Sequence, residues 1–168
     1  MLDQAASLRK LVDDDEKKSS SNPRKSKIIT VTSGKGGVGK SNFVVNLGVF
    51  LQSKGKKVLI FDADLGMGND DVLMGLYPKN NIFDIIFTDL TLKDIIIEGS
   101  NGVSLIPAGT GLNKIEELTD EQRSTFLDKL EHLNEFDYIL MDTGAGVNKD
   151  ILAFISASEE LIIITTPE

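Results

Sequence analysis

A chain of 168 residues, 40% hydrophobic and 26% charged, can bury the core of one folded domain and is not disordered throughout. Its formal net charge of -8 argues against a surface that grips nucleic acid or an anionic membrane, because both reward clustered Lys and Arg; no nucleic-acid partner is expected. The absence of cysteine excludes disulfides, thiolate metal sites and iron–sulfur clusters, and fits a reducing compartment, with the cytoplasm as the default.

In chain order, residues 2–12 place Leu2, Ala5, Leu8, Leu11 and Val12 at helical spacing, a short amphipathic stripe within the segment 1–12. Asp3, Asp13, Asp14 and Asp15 stand where a signal peptide needs an apolar core, and no apolar run approaches the roughly 18 residues of a membrane span. Residues 13–27 combine charge blocks, serines and Pro23, and read as a flexible linker. From 28 to 168 the pattern becomes that of a folded domain. Ile28–Thr32, Val58–Phe61, Val103–Ile106, Tyr138–Met141 and Leu161–Thr165 are the expected strands, and Asn42–Ser53 and Glu121–Leu133 the expected helices. A capping box of Thr119 and Gln122 opens the second helix. The strands lack period-two alternation, so both of their faces are buried. That predicts an α/β fold, a doubly wound and mostly parallel sheet covered by helices.

Gly34-Lys35-Gly36-Gly37-Val38-Gly39-Lys40-Ser41 joins the first strand to the first helix and matches the phosphate-binding P-loop, two glycines four apart followed by Lys and Ser. The glycines let successive N–H groups curl around phosphates, and the helix N-terminus adds its positive dipole end. Lys40 is expected to reach the β and γ phosphates and Ser41 to offer a hydroxyl to Mg²⁺, which identifies ATP and Mg²⁺ as cofactors. Asn42 completes the nucleotide-binding set. Asp62 and Asp64 follow the second strand and Asp142 the fourth, at the edge of the sheet where open α/β folds bind ligands. A carboxylate such as Asp142 can hold the Mg²⁺ shell there, with Thr143–Gly146 as a mobile switch beside the γ-phosphate. Asp70 and Asp71 read as cap or surface groups, and His132 as a surface or packing residue.

The stretch GKGGVGKS, with FDADLGMGN at 61–69 and ILMDTGAG at 139–146, resembles the three nucleotide motifs of the MinD/ParA family of deviant Walker A ATPases, in order and spacing. The resemblance implies that Lys35 crosses an ATP-dependent homodimer interface to the partner's nucleotide. It also implies that Asp64 positions the attacking water and that Asp62 supports magnesium, so Lys35, Asp64 and Asp142 are the expected catalytic residues.

Asp3-Gln4-Ala5-Ala6-Ser7-Leu8-Arg9 resembles the DQAxxLR activator segment of the flagellar branch of that family, FlhG (YlxH or FleN). That branch controls flagellar number and placement, and its segment stimulates the FlhF GTPase; Asp3, Gln4, Leu8 and Arg9 are the residues implied in that contact. The resemblance further implies a domain that is incomplete at Glu168, since relatives continue and reach membranes through a C-terminal amphipathic helix that would lie past it. Two other functions are compatible with the sequence: a non-enzymatic regulator acting through residues 1–12, or a division-site ATPase of the MinD type.

Overall fold

The computed structural model describes residues 25–109 and 118–167. In chain order the elements are β1 (Lys27–Ser33), α1 (Lys40–Ser53), β2 (Val58–Ala63), α2 (Asp70–Met74), α3 (Ile82–Phe87), α4 (Leu92–Ile95), β3 (Ile97–Glu98), β4 (Ser104–Ile106), α5 (Asp120–Glu131), β5 (Tyr138–Ala145), α6 (Lys149–Ala157) and β6 (Glu160–Ile163). The strands form one sheet in the order β3-β4-β2-β5-β1-β6, parallel throughout except for the antiparallel β3–β4 pair.

The buried strand runs dictate this layering. In β2, Leu59 and Phe61 enter one core while Val58 and Ile60 enter the other, so a strand without polar alternation must be covered on both faces. On the first face Ile82, Ile85, Leu92, Phe126, Leu130 and Phe154 close over the sheet, with the Phe61 ring centroid 4.9 Å from the tilted ring of Phe126 and 5.5 Å from the edge-on ring of Phe154. On the second face α1 lies close through Gly48, where a Cβ would stand 3.1 Å from Ile60 Cδ1. Buried Arg123 ties α5 to α6 by donating from Nε to Asp150 Oδ1 (2.7 Å), and within its own helix it donates from Nη1 to Asp120 Oδ1 (2.8 Å).

Several boundaries differ from the sequence-based expectation. α1 begins at Lys40 rather than Asn42, because Gly39, at φ 89°, turns the chain directly into the helix. Ser26 and Lys27, assigned by composition to the linker, belong to the fold: Ser26 is buried and its hydroxyl donates to Phe136 O (2.7 Å), while Lys27 pairs with Tyr138 at the start of β1. β5 runs on through Thr143, Gly144 and Ala145, three of the four residues expected as a mobile switch. Thr143 is fully buried and donates from its hydroxyl to Val31 O (3.1 Å), which fixes the strand to β1. The capping box of Thr119 and Gln122 is present as expected. The short helices α2, α3 and α4 offered too few residues for periodicity, although Asn81 with Asp84 and Thr91 with Asp94 form capping boxes of their own. Asp3, Gln4, Leu8 and Arg9, with the segment 1–12 and most of the linker, lie outside the described residues.

Candidate functional site

The site is built at the carboxyl ends of β1, β2 and β5. The loop from Gly34 to Gly39 leaves β1 with Gly37 and Gly39 in the left-handed region, at φ 76° and 89°, a conformation that glycine adopts without steric cost. Gly34, Lys35, Gly36 and Gly37 are exposed and Val38 is half-buried, so the loop's outer face is open. The Lys35 carbonyl accepts a hydrogen bond from Ser33 Oγ (2.9 Å), which anchors the first turn of the loop. At the start of α1 no side chain caps the helix and no acidic residue occupies the first turn. Its leading N–H groups and dipole are thus available to an anion. Ser41 is half-buried there, and Asn42 is exposed with its carbonyl accepting from Asn46 Nδ2 (2.7 Å).

Lys40 points inward instead. Its Nζ stands 2.6 Å from Asp142 Oδ1, and the two side chains are only 9% and 2% exposed. β2 and β5 pair with Asp62 directly opposite Asp142, so two buried carboxylates lie side by side on parallel strands. Each of the Asp62 oxygens receives a main-chain N–H, Oδ1 from Asp64 (3.2 Å) and Oδ2 from Asp70 (3.1 Å). Burial is the main cause that pushes the Asp62 carboxyl up to about 7; the Asp142 and Asp64 charges add to it and those two N–H donors oppose it. Asp64 is half-buried, its Oδ1 accepting from Met67 N (3.1 Å), and its carboxyl overhangs β5, where a Cβ on Gly144 would be 3.4 Å away.

Asp70 corrects the expectation of a cap or surface group. It is fully buried, and neither carboxyl oxygen has a hydrogen-bond partner among the described residues. Burial first, then the charges of Asp62 and Asp142, push it up to about 9, with Lys40 opposing. Asp142 lies within hydrogen-bond reach but is an acceptor when ionised, so the two bond only when one carries a proton. The sequence signal available for Asp70 was a second acidic residue beside Asp71, which a surface turn would explain equally well. Asp71 is half-buried and accepts from Val72 N (2.8 Å). His132 is exposed at the end of α5, as expected.

Lys40, Asp62, Asp64, Asp142 and Ser41 are therefore gathered at one sheet edge, and Asp70 joins them. The oxygen donors suit a hard cation such as Mg²⁺, and the unpartnered Asp70 oxygens are acceptors that a hydrated cation would satisfy. Among the described residues no three His, Cys, Asp or Glu side chains could hold an ion directly.

The profile of the family described as AAA domain matches residues 26–168. The chain is similar to the antiactivator FleN of Pseudomonas aeruginosa, 36% identical over 142 residues that make up 84% of this chain and 51% of FleN. It is similar to the flagellum site-determining protein YlxH of Helicobacter pylori, 41% identical over 148 residues, 88% of this chain and 50% of YlxH. The chain spans about half the length of the curated relatives it matches. Among solved structures, the septum site-determining protein MinD of Pyrococcus horikoshii complexed with Mg-ADP superimposes with a TM-score of 0.75 at 30% identity, covering 85% of this chain and 59% of that one. Among the described residues no helix is long and apolar enough to cross a membrane. A P-loop between β1 and α1, carboxylates at the ends of β2 and β5 and these similarities lead to one conclusion: the chain belongs to the AAA-domain family, within the MinD/ParA group of P-loop ATPases.

Proposed function

We propose that this chain is the nucleotide-binding part of an ATP-dependent dimerisation switch that regulates flagellar number and placement. The observation that carries the reading is the buried Lys40–Asp142 pair beneath an open glycine loop. Lys40 is the nearly buried cation at the loop's end, and phosphate oxygens entering the loop compete with Asp142 for it. As Lys40 turns to the phosphates, Asp142 is released, next to Asp62, to hold the cation's water shell, and Ser41 offers its hydroxyl. When bound, Mg²⁺ neutralises charge on the β and γ phosphate oxygens and fixes their orientation. Asp64, half-buried over Gly144, orients the attacking water; a loose phosphoryl-transfer transition state needs positioning more than a strong base. The similarity to FleN and YlxH supports the flagellar assignment, and the similarity to MinD with Mg-ADP supports the choice of nucleotide and cation.

Dimerisation follows from Lys35, which stands on the exposed side of the loop and reaches the nucleotide of a second protomer. The N-terminal segment, through Asp3, Gln4, Leu8 and Arg9, stimulates the FlhF GTPase. The test is light scattering with ATP. Wild type is expected to dimerise and Lys35→Ala to bind ATP yet stay monomeric, and dimers of Lys35→Ala at wild-type affinity would refute the switch.

A further inference from the structure

Asp70 is the acidic residue at this edge that the ATPase reading leaves without a task. Asp62 has a main-chain donor on each oxygen, and Asp142 holds Lys40. Asp70 is fixed in place, since its own N–H donates to Asp62 Oδ2 at 3.1 Å, yet both of its side-chain oxygens lack a partner at zero exposure. A buried carboxyl without donors costs stability, and an apolar side chain would fill the same space without that cost. Asp62 and Asp142 supply only acceptors when ionised, and Lys40 is engaged by Asp142. In the metal-free chain a proton shared with Asp142 can satisfy one of these oxygens, but once Asp70 is ionised its donors must come from a ligand. Water on a divalent cation is such a donor, and Mg²⁺ dehydrates reluctantly and keeps several waters.

We propose that Asp70 is a positioning residue for the hydrated divalent cation: its buried carboxylate accepts hydrogen bonds from cation-bound water and, beside Asp62 and Asp142, strengthens the hold on the metal–nucleotide complex. Direct ligation is not part of the proposal, because no three ligating side chains among the described residues could hold one ion. The identity of the cation rests on the nucleotide-binding reading above. Outer partners of this kind change metal affinity by roughly 10- to 100-fold when removed.

The experiment uses Mn²⁺ as the probe. Free Mn²⁺ is measured by electron paramagnetic resonance with ADP present, for the wild-type chain, Asp70→Asn and Asp70→Leu. ADP binding without metal and metal-free melting temperature are measured alongside. Both variants are expected to bind Mn²⁺–ADP at least about tenfold more weakly, with metal-free ADP affinity unchanged and, for Asp70→Leu, a higher metal-free melting temperature. Equal Mn²⁺ affinity in all three proteins would overturn the proposal and leave the nucleotide reading standing. Lower metal-free melting temperatures or lost metal-free ADP binding in both variants would assign Asp70 a structural role and overturn it as well. A folded wild-type chain that binds neither ADP nor Mn²⁺–ADP would overturn both readings.

Discussion

Lys40 Nζ lies 2.6 Å from Asp142 Oδ1, and the pair is almost wholly withdrawn from solvent. Asp142 in turn stands in register with Asp62 across β2 and β5, so this one ammonium offsets repulsion between neighbouring carboxylates as well as closing an ion pair. The residue that binds phosphate in the proposed function is thus also what holds the carboxylate cluster together. Binding and stability are coupled through it.

Lys40→Ala should therefore lose two things at once. Breaking a buried pair by removing one partner leaves an uncompensated charge, and a loss of about 3 kcal/mol in urea unfolding is expected. ATP at about 100 times its dissociation constant should stabilise the wild-type chain by ~2.7 kcal/mol and the variant by far less. The Lys40→Met, Asp142→Asn double variant should recover much of the lost stability without recovering ATP binding. Equal ATP stabilisation of wild type and Lys40→Ala in a thermal-shift experiment would remove Lys40 from the site.

Asp64→Ala should keep ATP and lose turnover. The side chain is held by Met67 N and hangs over Gly144, outside the Lys40–Asp142 pair, so its removal leaves the phosphate cradle intact while the water loses its orienting group. Nucleotide affinity by calorimetry and phosphate release should separate, and turnover at the wild-type rate would contradict the role.

Gly68→Ala should disturb the carboxylates from behind. A Cβ at Gly68 would stand 2.5 Å from Asp62 Oδ2 and 2.6 Å from Ala108 Cβ, far inside contact distance. Overpacking of this kind costs about 1–3 kcal/mol. At Gly66 the nearest atom to a Cβ is Asp64 Oδ1 at 3.9 Å, so Gly66→Ala serves as the tolerated control. Similar denaturation midpoints for the two would show that the Asp62 loop gives way freely.

The metal-free chain should lose stability as pH rises. Asp62 and Asp70 are pushed up to about 7 and about 9 in the folded chain, whereas an aspartate in an unfolded chain titrates near ~3.9. Between these values the folded state keeps protons that the unfolded state has released. Stability from these groups is thus fully present below about pH 4 and is lost as pH climbs through about 7 and then about 9, by at most about 1.4 kcal/mol per unit for each proton. Calorimetric melting temperatures between about pH 6 and pH 9 should fall for the wild-type chain and fall less for Asp70→Asn. Parallel profiles would show that Asp70 does not titrate in this window.

A peptide of residues 1–20 should accelerate GTP hydrolysis by FlhF, and Gln4→Ala should lose most of that effect, since an amide that donates and accepts can order a water beside a γ-phosphate. Lys40→Ala in the whole chain should change the stimulation little, because residues 13–27 separate the segment from the nucleotide loop. Unchanged FlhF turnover with the peptide demonstrably bound would remove the activator role.

The local chemistry of this protein was legible in its sequence. The glycine spacing of 34–41 and the apolar runs around Ile60 and Leu140 are short-range properties, and they determined the P-loop, the buried strands and the mostly parallel sheet. Thr119 with Gln122 announced a helix start for the same reason: a cap is made by residues three apart. What the sequence could not state was strand order and register, which depend on contacts between residues far apart in the chain. Placing β5 between β1 and β2 sets Asp142 against Asp62, 80 positions apart, and brings Lys40 onto Asp142. Burial of Asp70 followed the same way. Its neighbours in sequence, Asn69 and Asp71, are those of a surface turn, and only the packing of that turn against the ends of β2 and β5 withdrew its carboxyl from water.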